Sequence, residues 1–210
     1  MPRRYDAVIF DLLTALLDSW SLWNAVAGGE EAGMRWRRAY LARTYATGVY
    51  RPYETLVAEA AVETRLDPRL ADDLAARYVE LRPWPGVTGE LQKLAAAGTK
   101  LGVATNCSEI LGRLAAAQIG VAFDTIVTAE RTGFYKPDPA PYRLALSTLR
   151  LPPGRCLFVA GSAYDLVGAS SVGFDIWWHD RIGMAKPAEA PALLRHTRDL
   201  MGLADFVLGR

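Results

Sequence analysis

The residue with the plainest chemistry is Asp11, which closes the apolar run Val8-Ile9-Phe10 and is followed two positions later by Leu13 rather than by a second acid. An apolar run of this kind reads as a buried parallel strand, and open α/β sheets carry their reacting groups at the carboxyl ends of such strands. A carboxylate in that place can attack an electrophile and form an ester that water later hydrolyses, which makes Asp11 a candidate nucleophile. Three further segments end on or contain polar groups: Leu101-Gly102-Val103-Ala104-Thr105-Asn106, Tyr135-Lys136-Pro137-Asp138-Pro139, and Leu157-Phe158-Val159-Ala160-Gly161-Ser162-Ala163-Tyr164-Asp165.

The elements that must position these groups are legible as changes of period. After the first strand the pattern turns helical from about Ser21 to Arg82, with breaks at Gly28-Gly29, Gly48 and Asp67-Pro68. It returns through Pro83-Trp84-Pro85-Gly86, which disfavours helix continuation. From there helix and strand alternate: helix Glu90 to Ala97, strand Leu101 to Thr105, helix Ser108 to Gln118, strand Thr125 to Thr128, helix Pro139 to Leu149, strand Cys156 to Val159, helix Asp165 to Val172 and strand Asp175 to Trp178. Such alternation implies parallel strands with crossover helices. The expected fold is α/β: a doubly wound parallel-sheet, Rossmann-like core in residues 1–20 and 84–210, with a small helical cap domain in residues 21–83.

Composition narrows the class of function. The 210 residues carry a net charge of +1 and are 51% hydrophobic, which describes a globular protein without the charge of a nucleic-acid binder. Arg35, Arg37, Arg38 and Arg43 cluster, but among Trp36, Tyr40, Leu41 and Tyr45, as on an amphipathic helix. Cys107 and Cys156 are too few for a disulfide framework, and Cys107 follows a strand where a buried thiol is expected. No charged-then-apolar leader precedes Asp11 and no apolar segment approaches the roughly 20 residues that cross a bilayer, so a cytoplasmic protein without membrane contact is expected. His179 follows Trp177-Trp178 at a strand end and His196 is expected in a C-terminal helix; neither belongs to a metal-ligand cluster.

In order and spacing, the four segments quoted above resemble the haloacid dehalogenase superfamily, whose fold carries a nucleophilic Asp at the end of its first strand. Phosphatases of that superfamily use a second Asp two positions on and another early in the fourth segment to hold Mg²⁺; here those positions are Leu13 and Ala160. A hard cation wants several oxygen ligands, so the resemblance implies no metal and no other cofactor. The branch that lacks both acids is the 2-haloacid dehalogenases, and Asp11-Leu12-Leu13-Thr14-Ala15-Leu16-Leu17-Asp18, Tyr135-Lys136-Pro137-Asp138 with Tyr142, and the pair Trp36-Arg37 are similar to that group.

That resemblance implies hydrolytic dehalogenation of a short 2-haloalkanoic acid by way of an aspartyl ester on Asp11. Lys136 would hold Asp11 ionised, and Asp165 would orient Lys136 or activate water, unless it caps the helix that follows. Arg37 would pair with the substrate carboxylate or the departing halide from a cleft-facing position that supports little of the core. Leu13, Trp36 and Tyr142 would form an apolar wall. Thr105 and Asn106 would bind the carboxylate or position the nucleophile, Asn106 being equally suited to cap the next helix, and Ser162 is a further substrate contact. The group has Gly-Thr where this chain has Thr14-Ala15 and Ser where it has Ala160, so the hydroxyls absent from Ala15 and Ala160 are expected to cost the nucleophile and the water hydrogen bonds. The implied partner is a small halogenated carboxylic acid, with no nucleic acid and no membrane, and a homodimer is compatible with the sequence. Two other readings are a phosphatase or phosphonatase of a small metabolite, although a phosphonatase needs a cap lysine and the stretch Ser21 to Arg82 has none, and a catalytically weak binding protein.

Overall fold

The computed structural model describes residues 3–210. Its centre is a sheet of six parallel strands, β1 (Ala7–Phe10), β2 (Lys100–Thr105), β3 (Thr125–Thr128), β4 (Cys156–Ala160), β5 (Asp175–His179) and β6 (Arg195–Thr197), in the order β3-β2-β1-β4-β5-β6. All four residues of β1 are buried, because helices cover both faces. Alternation divides the side chains: Val8 and Phe10 join Leu101, Val103 and Val159 on one face, while Ala7 and Ile9 join Ala104 and Phe158 on the other. Each large apolar side chain so buried contributes about 1.5–3 kcal/mol relative to exposure.

The chain runs from β1 outward to β2 and β3, then returns to the other side of β1 for β4. Strand order therefore reverses at β1, and a crevice opens beyond the carboxyl ends of β1, β2 and β4. Asp11 is the first residue past β1, its amide donating to the Val159 carbonyl at 3.0 Å.

Between β1 and β2 lie α1 (Ser19–Val26), α2 (Glu30–Thr47), α3 (Tyr53–Glu63), α4 (Leu70–Ala76) and α5 (Val87–Ala96). The first of these begins two residues before the expected start because Asp18 caps it, accepting from the Ser21 amide at 3.0 Å and its hydroxyl at 2.7 Å. An aromatic cluster joins α1 to α3: Trp23 lies 4.5 Å from Trp36 and 5.2 Å from Tyr40, and Tyr40 5.3 Å from Tyr53. The way into and out of this insertion is paired, Asp18 N donating to Arg82 O at 2.8 Å and Trp84 N to Leu16 O at 2.9 Å.

The remaining helices are α6 (Glu109–Ala117), α7 (Ala129–Thr132), α8 (Pro139–Leu149), α9 (Asp165–Val172) and α10 (Leu203–Leu208). One expectation fails here. His196 lies not in a helix but in β6, which adds a sixth strand beside β5, with His196 paired to Trp178 and its ring stacked on that indole at 4.2 Å. Three residues are too short to show a period, so only the neighbouring strand defines them. No helix among the described residues is long and apolar enough to cross a membrane.

Candidate active site

Three charged groups meet at the carboxyl end of the sheet. Lys136 Nζ lies 2.7 Å from Asp11 Oδ1 and 2.9 Å from Asp165 Oδ1, and its side chain is 0% exposed. Lys136 comes from the loop before α8 and is held by its backbone. Asn106, just past β2, accepts from the Lys136 amide at 2.7 Å and donates to the Lys136 carbonyl at 3.1 Å. Asn106 thus fixes the lysine loop rather than capping α6, whose N-cap residue is Ser108.

The other carboxylate oxygen of Asp11 is served locally. Thr14 Oγ1 donates to Asp11 Oδ2 at 2.5 Å and the Thr14 amide to the same atom at 2.9 Å. The hydroxyl expected to be lost at Ala15 is therefore supplied one residue earlier. Room for this comes from Gly161, where a Cβ would lie 2.1 Å from Ala15 N and 2.4 Å from Thr14 Oγ1. Burial raises the Asp11 carboxyl, but the Lys136 charge and the hydrogen bonds from Lys136 and Thr14 outweigh it and hold the group below its usual value.

Asp165 is treated differently. It opens α9, but its side chain does not cap that helix, since Tyr164 is the N-cap residue and no side-chain cap bond forms. Besides Lys136, its Oδ1 accepts from Tyr45 at 2.9 Å and from Tyr142 at 3.1 Å. Its Oδ2 is buried without a partner. Burial, helped by the negative charge of Asp11 and opposed by Lys136, pushes Asp165 up to about 6. Lys136 itself is pulled down by burial but driven above its ordinary value by the two carboxylates, so it stays charged.

A small cavity of about 20 Å³ faces this group, lined by Asp11, Leu13, Thr14, Arg37, Tyr40, Leu41, Tyr45, Thr105, Asn106 and Ser162. Arg37, on α2, is 0% exposed, not half in solvent as an arginine of little structural weight would be. Its guanidinium lies 5.1 Å from the Trp20 ring and 5.0 Å from the Trp23 ring, and its Nε and Nη1 have no partner. A second cavity of about 460 Å³ shares Leu41 with the first and is bounded by Trp20, Arg38, Tyr164 and the segment Ile182 to Pro187.

Two expected wall residues stand elsewhere. Trp36 turns away into the helical insertion, donating its Nε1–H to Val57 O at 2.9 Å, because consecutive helical residues are about 100° apart and Arg37 takes the cleft side. Tyr142 is buried behind the cavity with its hydroxyl on Asp165. Tyr40, Leu41 and Tyr45, whose pattern predicts only an amphipathic helix face, line the cavity. Their signal was available: at three, four and eight residues beyond Arg37 they share its stripe of the helix. Tyr40 also donates to Asn106 O at 2.9 Å, tying α2 to the end of β2.

The donor set does not fit a divalent cation. Ala160 and Leu13 offer no side-chain oxygen, the Lys136 ammonium already bridges Asp11 and Asp165, and no cluster of three or more His, Cys, Asp or Glu that could hold a metal occurs among the described residues.

A doubly wound parallel sheet with a buried aspartate past its first strand, and helices inserted over that end, defines a Rossmann-like α/β fold with its reacting groups at the carboxyl edge of the sheet. The chain belongs to the haloacid dehalogenase-like hydrolases, whose family model matches residues 5–173. It is 31% identical to an (S)-2-haloacid dehalogenase of Pseudomonas putida, over 97% of this chain and 98% of that one. A second (S)-2-haloacid dehalogenase, from Burkholderia cepacia, is 31% identical over 80% of each chain. Among solved structures, a dehalogenase with an intermediate complex superposes with a TM-score of 0.84 at 27% identity, over 99% of both chains. The L-2-haloacid dehalogenase of Xanthobacter autotrophicus with chloropropionic acid covalently bound shares the fold, with a TM-score of 0.87 at 23% identity over 98% of this chain and 99% of that one.

Proposed function

We propose that the protein hydrolyses short 2-haloalkanoic acids to 2-hydroxy acids through an ester on Asp11, without a metal ion. One observation carries the reading: Asp11, linked through Lys136 to Asp165, shares a small cavity with a buried arginine whose Nε and Nη1 have no protein partner. A buried guanidinium with free donors suits an anion, and a 2-haloacid brings one as carboxylate and releases another as halide. The dehalogenases among the relatives support the same substrate class.

In this scheme Asp11, kept ionised by Lys136 and Thr14, attacks the carbon that bears the halogen. A C–O bond forms as the carbon–halogen pair leaves with the halide, and Arg37 stabilises the charge that develops on it or holds the substrate carboxylate. Asp165, near neutrality and with a free Oδ2, then takes a proton from water as that water attacks the Asp11 Cγ. The bond from Cγ to the ester oxygen breaks, that oxygen takes the proton back from Asp165, and the second water proton is released as Asp11 returns to carboxylate, so the product hydroxyl carries an oxygen that began in Asp11. Leu13, Thr105, Asn106 and Ser162 bound the substrate. A cavity of about 20 Å³ holds about one water, so residues 21–83 act as a cap that opens to admit the acid. Cys107 and Cys156, both free and buried, are in keeping with a reducing, cytoplasmic location.

The test is halide release from 2-chloropropionate and 2-bromopropionate with and without EDTA. We expect turnover unchanged by the chelator, abolished in Asp11→Asn, and accompanied by ¹⁸O from labelled water in the peptide that carries Asp11. Turnover that vanishes with EDTA and returns with Mg²⁺ would sink the proposal.

A further inference from the structure

The turn that follows Asp11 is held by its carbonyls from outside. Leu13 O accepts from the Ser19 hydroxyl, Thr14 O from Trp84 Nε1 at 3.2 Å, Ala15 O from His179 Nδ1 at 2.7 Å, and Leu16 O from the Trp84 amide at 2.9 Å. Each of these partners stands on a different segment: the start of α1, the return from the helical insertion, and the end of β5. A peptide unit is planar, so a held carbonyl fixes the amide that follows it: Ser19 sets the Thr14 amide, Trp84 Nε1 that of Ala15, and His179 that of Leu16, which closes the turn on Leu12 O at 3.1 Å. Gripped in this way, the turn aims the Thr14 amide, the Thr14 hydroxyl and, at 3.4 Å, the Ala15 amide at one atom, Asp11 Oδ2.

His179 is the one of these partners with a titratable side chain, and it is 1% exposed. A carbonyl oxygen can only accept, so the Nδ1 that faces Ala15 O carries the proton. Burial pushes the imidazole below its usual value despite the bond to Ala15, so the ring is neutral and the donor is permanent near neutral pH. Packing alone would be met by an apolar side chain at the end of a buried strand; a donor aimed at the nucleophile turn serves a further purpose.

We infer that His179 is a positioning residue of the reaction, acting on Asp11 through the Ala15 carbonyl and the Leu13–Ala15 turn. The assignment rests on Asp11 being the nucleophile, as proposed above. Removing the donor loosens the hydroxyl and amides that hold Oδ2, so the attacking carboxylate loses its aim while Arg37, Tyr40, Leu41 and Tyr45, the part of the lining that α2 supplies, stay in place.

The experiment compares His179→Leu with His179→Asn, whose side-chain amide nitrogen stands close to where Nδ1 was, using kinetics on 2-bromopropionate and ¹H–¹⁵N spectra of the uncomplexed protein. For His179→Leu we expect kcat to fall roughly tenfold with KM within about twofold, and the Thr14 and Ala15 amide signals to move; His179→Asn should restore both within about threefold and return the signals toward wild type. If the Leu variant does not fold, Trp84→Phe, which removes the donor to Thr14 O at a half-buried site, replaces it with the same expected split. Wild-type kcat in the variant that loses its donor, an Asn variant as slow as the Leu variant, or unmoved Thr14 and Ala15 signals would overturn the assignment. Absence of halide release by the wild type, with the amide signals behaving as expected, would sink the dehalogenase reading and leave the hold on the turn standing.

Discussion

Thr14 Oγ1 donates to Asp11 Oδ2 at 2.5 Å, on the side of the carboxylate opposite Lys136. Each oxygen of the candidate nucleophile thus has its own donor, and the hydroxyl comes from Thr14 rather than from the next position, which Ala15 occupies. Thr14→Ala should lower kcat roughly tenfold, the worth of one hydrogen bond to a charged group, while Thr14→Ser should retain most of it. Steady-state halide release by the two variants checks this, and equal rates would show that the hydroxyl plays no part.

Gly161 makes that arrangement possible. A Cβ there would lie 2.2 Å from the Thr14 carbonyl carbon as well as against Ala15 N, distances that no side chain tolerates. Gly161→Ala should cost about 1–3 kcal/mol of stability as an overpacked site and reduce turnover beyond what the stability loss explains. Denaturant melts beside single-turnover rates separate the two effects.

Arg37 carries opposite demands. Its buried, partly unpaired guanidinium is a burden on the fold and an asset to a bound anion. Arg37→Met should therefore raise stability by about 1–3 kcal/mol while lowering kcat/KM by a hundredfold or more, equivalent to about 3 kcal/mol of transition-state stabilisation. Arg37→Lys should recover part of the activity, since a point charge lacks the planar fork. A destabilised Met variant with normal halide release would reverse the assignment.

Asp165 sets the expected pH profile. As a base it must be ionised, and burial beside Asp11 pushes it up to about 6, so hydrolysis of the ester should rise with pH through that region and level above it. The Tyr45 hydroxyl favours the carboxylate at 2.9 Å. Removing it in Tyr45→Phe should move the acidic limb to higher pH. Rapid-quench measurement of ester decay across pH 4.5–8, a window of about one to two units either side of that value, tests the direction; a limb that moves down, or does not move, contradicts the role given to Asp165.

Much of the site was legible before folding because parallel strands buried on both faces are written as apolar runs, and their carboxyl ends follow by chain direction. Asp11 after Val8-Ile9-Phe10, Asn106 after β2 and Asp165 beyond β4 could be found in that way. Lys136 was legible only through its proline-rich setting and the family resemblance, since nothing local states that a loop lysine is the counter-charge of an acid 125 residues earlier.

What only the tertiary structure decided is direction. Trp36 and Arg37 are adjacent in sequence, and the rotation of α2 against Trp23 and Val57 chose the arginine for the cleft, bringing Tyr40, Leu41 and Tyr45 with it. The hydrogen bond expected to be missing for want of a hydroxyl at Ala15 is present, because the turn geometry, made possible by Gly161 from another strand end, lets Thr14 fill the place. His179 and the short strand around His196 carried no local signal, because a hydrogen bond across 164 residues and a three-residue strand exist only once β5 has a place in the sheet. Residue type and period determine which elements form and which end of the sheet is reactive; the packing of those elements determines which side chains of each element reach one another there.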